Sequence, residues 1–206
     1  MSGGDVPSPV DFHDPAQARA WVRETLTRKP WRPRFFQVFA DALNAQFKGP
    51  FEAAELGSGP GQLAREILTN CPLSAYHAVD FSPAMHEIAR ETLGDAAAKV
   101  RFLIRDFRQP DWTEGLSVDA VVTLQAAHEV RHRDHLPALF RSIRSILRPG
   151  GLLLYCDTHN DAGDPARTAL FLTRREQDAA LTSAGFGRTR LLLDENEMAL
   201  WAAEPN

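Results

Sequence analysis

Phe51-Glu52-Ala53-Ala54-Glu55-Leu56-Gly57-Ser58-Gly59-Pro60-Gly61 decides how the rest of the chain is read. Phe51–Leu56 is a short apolar run and reads as a buried strand. Glycines 57, 59 and 61 follow, and a helical pattern extends from Gly61 to Asn70. Glycine reaches positive φ without penalty and lets a ligand approach the backbone closely. A helix starting at Gly61 also presents unpaired N–H groups. Dinucleotide-binding turns use glycines too, but their third small residue falls one position later. Here that position is Gln62, too bulky for close helix–strand packing, and the third glycine is at 61. Read alone, the triplet also fits a tight turn without a ligand.

Outward from this turn the chain alternates. Strands are expected at Ala75–Val79, Val100–Ile104, Val118–Leu124 and Gly151–Cys156, and helices at Pro83–Leu93, His135–Leu147 and Arg174–Ala184. Ser82 is placed to cap the helix at Pro83. Arg188–Leu193 and Met198–Ala203, separated by Asp194-Glu195-Asn196-Glu197, read as a closing hairpin. Alternating strands and helices predict an α/β fold, a mostly parallel sheet covered on both faces. A ligand then belongs beyond the strand carboxyl ends, where the strand order reverses. Upstream, Asp14 and Pro15 open a helix to about Arg28. Lys29-Pro30-Trp31-Arg32-Pro33 breaks it, and a second helix runs from Pro33 to Phe47 on a face of Phe35, Phe36, Val38, Phe39, Leu43 and Phe47. Residues 1–14, rich in Gly, Pro, Ser and Asp, are expected to be loose. The division predicted is an N-terminal helical extension or lid over residues 1–49 and a ligand-binding domain over 50–206.

Glu55, Asp80 and Asp106 each follow or end a predicted strand, so the topology sends three carboxylates to one sheet edge. Asp80 stands near the offset at which an acid accepts ribose hydroxyls; its simpler role, capping the next helix, is already open to Ser82. An acidic rim repels phosphates and favours a cationic ligand with hydroxyls and an exocyclic amine. S-adenosylmethionine fits that description better than NAD.

These segments resemble the class I S-adenosylmethionine-dependent methyltransferases over roughly residues 50–204. Ala53–Gly61 is similar to the family's first motif, and Val79-Asp80-Phe81-Ser82-Pro83-Ala84-Met85 to its second. Ile104-Arg105-Asp106-Phe107 is similar to the third, and Leu147-Arg148-Pro149-Gly150-Gly151 to its frequent Leu-x-Pro-Gly-Gly. The resemblance implies a doubly wound, mostly parallel seven-stranded sheet with a C-terminal antiparallel strand, and S-adenosyl-L-methionine as cofactor. It implies that Glu55 helps bind the methionine amine over the backbone of Gly57, Ser58, Gly59 and Gly61. Asp80 then takes the ribose hydroxyls and Asp106 the adenine amine. Phe81, Met85 and Phe107 flank the adenine, unless they only pack in the core, and Gln125 meets the methionine part.

His128-Glu129-Val130-Arg131-His132 is a literal His-Glu-x-x-His match, the zinc-hydrolase pattern that needs both histidines on one helix face. Its position directly after a strand, its charged surroundings and the lack of a well-spaced third ligand argue against zinc, and no metal is expected. On a loop rimming the pocket, His128 is instead the candidate general base, since neutral imidazole exists at pH 7. Glu129 is then placed to orient it or to bind the acceptor. Trp31, Arg32, Arg34, Arg131, His132 and His159 are candidate acceptor contacts. Methyl transfer is mainly alignment, so a base is required only if the acceptor must lose a proton. The function expected is in-line methyl transfer to a small-molecule acceptor. A non-catalytic cofactor-binding protein of the same fold is the alternative, and a zinc hydrolase a more remote one.

Composition bounds the partners. The 206 residues carry a net charge of −4, which argues against nucleic acid. Two cysteines, Cys71 and Cys156, are too few for a disulfide framework. No secretory leader or membrane-spanning apolar stretch is read. A soluble cytoplasmic protein, monomeric or homodimeric, is expected.

Overall fold

The computed structural model describes residues 4–206, apart from the Leu26 side chain. In chain order the elements are α1 (Pro15–Arg28), α2 (Arg32–Gln46), β1 (Phe51–Leu56), α3 (Gln62–Asn70), β2 (Leu73–Asp80), α4 (Pro83–Leu93) and β3 (Val100–Ile104). There follow β4 (Val118–Leu124), α5 (Leu136–Ile146), β5 (Leu147–Thr158), α6 (Arg174–Ser183), β6 (Phe186–Glu195) and β7 (Met198–Pro205). The seven strands form one sheet in the order β3-β2-β1-β4-β5-β7-β6. Neighbours from β3 to β5 are parallel, and β7 runs antiparallel between β5 and β6. This is the class I methyltransferase architecture, with the expected closing hairpin.

Both faces of the sheet are covered, which is why its central strands are apolar on both sides. On one face Phe140 and Ile143 of α5 and Leu181 of α6 pack with Val121, Leu153 and Trp201. On the other, Phe35, Phe39 and Leu43 of α2 and Ile67 of α3 pack with Ala53, Val122 and Leu154. Each fully buried Phe of that face contributes about 1.5–3 kcal/mol. The second N-terminal helix therefore shares one core with the sheet.

Local signals hold closely. Asp14 caps α1, accepting from the N–H groups of Ala16 and Gln17, and Ser82 caps α4, accepting from Met85 N. The largest difference is β5, which begins at Leu147 rather than Gly151. Pro149-Gly150 reads as a break in sequence. In the fold a register shift absorbs it, Val118 pairing with Leu147 and Ala120 with Leu152, with Gly150 at φ 77°. Among the described residues no helix is long and apolar enough to cross a membrane.

Candidate functional site

The strand order reverses between β1 and β4, and the crevice opens at their carboxyl ends. The turn after β1 floors it. Gly57 and Ser58 both donate N–H to Val79 O, and Gly57, Gly59 and Gly61 stand at φ 63°, 51° and 79°. Each glycine has its own reason. A Cβ on Gly57 would lie 2.2 Å from the Ala126 Cβ. One on Gly61 would lie 3.1 Å from the Ala89 Cβ, where α3 meets α4. One on Gly59 would meet nothing nearer than 3.9 Å, because it projects into open space. Gly59 lines a cavity of about 310 Å³, shared among others by Ser58, Asp80, Phe81, Met85, Phe107 and Gln125. The Ser58 hydroxyl is buried there with no hydrogen-bond partner.

Two of the three predicted rim acids share this cavity, and both carry raised pKa values. Burial pushes the Glu55 carboxyl up to about 8 against the Tyr76 hydroxyl, which donates to it at 2.7 Å; nearby Asp80 pushes it further up, and Arg32 works downward. Burial likewise pushes Asp80 up to about 6, although it accepts from Ser82 N and Gly59 N at 2.9 and 2.8 Å. Two carboxyls crowded together away from water call for a cation. Asp106 departs from the expectation of a single rim. It faces an adjoining recess of about 300 Å³ and is clamped by Arg108 through Nε and Nη2. Burial works upward on Asp106, but the guanidinium holds its carboxyl below the ordinary range. Phe81, Phe107 and Glu129 border both spaces.

The raised Glu55 fixes a stability signature. Its neutral form is favoured in the fold, so its contribution is complete below 4.5 and is lost as pH rises through about 8. Asp80 acts in the same direction between 3.8 and about 6. Thermal melts of the ligand-free protein are expected to fall across this interval, by at most about 1.4 kcal/mol per pKa unit. Glu55→Gln should flatten the fall above pH 6. An equally steep profile in that variant would contradict the assignment.

The His128 segment is not a metalloprotease helix. Ala127–Val130 is a single 3-10 turn, ended by Arg131 in the left-handed region at φ 66°. His128 and His132 therefore share no helix face, and His132 Nδ1 instead accepts from Asp134 N. His128 lines the cavity, while Asp157, at the end of β5, takes its Nδ1 at 2.8 Å and its backbone N–H at 3.0 Å. Burial alone would lower the imidazole pKa. The Asp157 carboxylate, through charge and hydrogen bond, overrides it, and the pKa is raised. Glu129, expected to orient His128 or to bind the acceptor, lines the cavity, lies 3.5 Å from Nε2 and is paired with Arg131. Asp157, not Glu129, is the carboxylate within hydrogen-bond distance of the ring. Gln125 sits beside this pair with φ 51°, a conformation that costs a non-glycine residue of order 1 kcal/mol and clusters at functional sites. Its Oε1 accepts from Lys29 Nζ at 3.0 Å.

Part of the cover comes from a segment expected to be loose. Residues 1–3 lie outside the described residues, but Ser8, Pro9, Val10 and Phe12 line the cavity. Val6 N donates to Arg131 O, and the Arg131 guanidinium donates to the carbonyls of Val6 and Pro7 at 2.7 Å. Phe12 meets Trp21 and Phe81 edge-on. The segment has no repeating structure yet is tied down by these contacts. Arg131, expected to meet an acceptor, lines the cavity and is also the buried clamp of this strap. Arg32 lines the cavity too, its Nε buried without a partner. Four other candidates fall elsewhere. Trp31 packs on the α2 face of the core, and exposed Arg34 pairs with Glu195. His132 is turned to Asp134, and His159 bonds Asp194 at 3.2 Å beside the β6–β7 turn. Lys29, Tyr76, Asp157 and Phe171 were missed in the sequence; only Asp157, at the carboxyl end of a central strand, carried a topological signal.

Comparison with known proteins bears on the family and the fold. A family model described as a methyltransferase domain matches residues 53–151. Hybrid PKS-NRPS synthetase apdA of Emericella nidulans is 30% identical over 119 residues, 56% of this chain and 3% of the synthetase. Trans-aconitate 2-methyltransferase of Rhodococcus jostii is 33% identical over 116 residues, 52% of this chain and 42% of that protein. The chain thus spans a small part of the synthetase and under half of the second relative. Human N-acetylserotonin methyltransferase, solved in complex with S-adenosylmethionine, superposes with a TM-score of 0.72 at 16% identity, covering 95% of this chain and 57% of that one. At that identity the likeness bears on the fold.

Proposed function

From the premise that this chain carries a domain of the class I methyltransferase family, we propose that it binds S-adenosylmethionine in the β1–β4 crevice and transfers its methyl group in line to a small-molecule acceptor. One observation carries the reading. The buried Glu55 and Asp80 carboxyls lie beside a positive-φ glycine turn, and Gly59 of that turn lines the cavity with no atom crowding its Cβ position. The donor set fits the cofactor. Glu55 suits the α-amine, the unpartnered Ser58 hydroxyl and Arg32 suit the carboxylate, and Asp80 keeps lone pairs for ribose hydroxyls. Phe81, Met85 and Phe107 supply apolar contact for the adenine, with Asp106 at the far recess. Bound there, the cofactor supplies a methyl carbon already activated by a sulfonium.

The chain's own residues do the rest. Gly57–Gly61 and the acids fix the cofactor end, and alignment supplies much of the acceleration. His128 Nδ1–H donates to Asp157, which leaves Nε2, 3.5 Å from Glu129, to take a proton from the acceptor and stabilises the imidazolium that results. The strap, Phe171 and Leu170 exclude water from the cavity. Residues 1–49 act as the cover of the domain formed by residues 50–206.

Calorimetry tests this reading. S-adenosylhomocysteine should bind in the micromolar range, and Asp80→Ala should weaken it by roughly 10- to 100-fold, the value of charge-assisted hydrogen bonds. Absence of binding to the unaltered protein would remove the reading. Binding without transfer to any acceptor tried would point to a non-catalytic cofactor-binding protein.

A further inference from the structure

We propose that Lys29 is the acceptor-recognition cation: it holds the oxygen anion that forms when an acidic hydroxyl acceptor, a phenol or the enol of a 1,3-dicarbonyl, gives its proton to His128 Nε2. This inference rests on the methyl-transfer reading above and names the acceptor class for it.

The connection between α1 and α2 sends two cations, Lys29 and Arg32, to the cavity wall. They have different partners. Arg32 is coupled to Glu55, at the end where the cofactor's amino-acid group belongs. An ammonium against Glu55 and a carboxylate against Arg32 use that end completely. Lys29 is near enough to Arg32 to feel its charge, but its ammonium is turned to Gln125. Its Nζ donates to Gln125 Oε1 at 3.0 Å, and it is drawn electrostatically to Asp157. Gln125 in turn reaches Thr158 Oγ1 at 3.5 Å, and Thr158 N donates to Asp157. Lys29 and the His128–Asp157 pair are therefore joined through one short network.

Among the described residues no carboxylate comes within ion-pair distance of Lys29, and its one side-chain hydrogen bond is to a neutral amide. Burial disfavours the charge of such a group, and Arg32 disfavours it further, while Asp157 favours it. A partly desolvated ammonium is costly for folding. It is well suited to an anion that develops during reaction, because it is already in place when the charge appears. The base on the adjoining wall implies that the acceptor has a proton to lose. The acceptor O–H bond breaks, the proton goes to Nε2 and the electron pair stays on oxygen. That pair, or the enolate carbon conjugated with it, then forms the bond to the methyl carbon, while the methyl–sulfur pair returns to sulfur. An amine acceptor fits poorly, since the positive charge it gains on methylation would face Lys29.

The probe is 4-nitrophenol, added to the protein saturated with S-adenosylhomocysteine and followed by the visible band of the phenolate. The bound probe is expected to be ionised at a pH where the free probe is mostly neutral. Lys29→Met should lower its affinity about 10- to 100-fold and remove the band, and Lys29→Arg should restore much of both. The neutral isostere 4-nitroanisole and S-adenosylhomocysteine itself should bind Lys29→Met as they bind the unaltered protein. Neutral bound nitrophenol in the unaltered protein overturns the proposal. An equal loss of S-adenosylhomocysteine affinity in Lys29→Met also overturns it, by assigning Lys29 to the cofactor. If the unaltered protein binds no S-adenosylhomocysteine, the methyl-transfer reading falls first and this proposal with it.

Discussion

Gly57→Ala is expected to destabilise the protein by about 3 kcal/mol, a drop in Tm of roughly 6–12 °C for a domain of this size. Two effects combine. Alanine at φ 63° costs about 1–2 kcal/mol in the left-handed region. Its Cβ would also fall 2.2 Å from the Ala126 Cβ, in a place fixed by the Gly57 and Ser58 hydrogen bonds to Val79 O. The turn and the segment after β4 must separate, which opens the crevice floor. Gly59→Ala is the informative contrast. Its φ of 51° brings a similar conformational cost, but its Cβ meets nothing nearer than 3.9 Å. That variant should melt within a few degrees of the parent and still lose S-adenosylhomocysteine affinity, because the new methyl occupies the cofactor's space. Thermal melts with and without S-adenosylhomocysteine separate the two. Equal melting temperatures for both variants, or full affinity in Gly59→Ala, would refute this account of the turn.

The same turn explains what could be read from the sequence. Its glycines, the acid after β2 and the capping Ser82 act through neighbours a few residues away, so spacing alone places them. Sites assembled over long separations were not legible. Arg131 looks like a free cation in sequence, and only the fold brings it to Val6 and Pro7, more than 120 positions away. Lys29 reads as part of a helix-breaking Lys-Pro pair, yet its ammonium reaches Gln125, 96 positions on. His159 was expected at the rim because it follows a central strand. β5, however, runs on to Thr158, and the chain then turns to the β6–β7 end, where His159 N donates to Glu197 O. Asp106 was placed on the correct edge, but the Arg108 clamp two residues away turned it into the adjoining recess. Topology gave the edge, and side-chain pairing decided which space each acid faces.

The largest effect on rate is expected at His128. His128→Ala should lower kcat by about 10²- to 10⁴-fold, the range of a positioned general base, with S-adenosylhomocysteine affinity nearly unchanged. The assay is release of S-adenosylhomocysteine in the presence of phenols, enols and 1,3-dicarbonyls. Asp157 acts through His128, so its signature is a change in pH profile as well as in rate. Its carboxylate outweighs the downward pull of burial and holds the imidazole pKa above the ordinary value. The base is active only when neutral, so activity should rise with pH through that raised pKa. Asp157→Asn removes the negative charge, and the acidic limb should move to lower pH while the plateau falls. A merely structural role for Asp157 predicts a lower plateau with the limb in place. NMR titration of the His128 ring, in the parent and in Asp157→Asn, reads the same shift without any acceptor. Glu129→Gln provides the comparison. At 3.5 Å from Nε2 and already paired with Arg131, Glu129 exerts a weaker pull on the ring. Its removal should move the limb less than Asp157→Asn does. A larger displacement from Glu129→Gln would reverse the assignment of the two carboxylates.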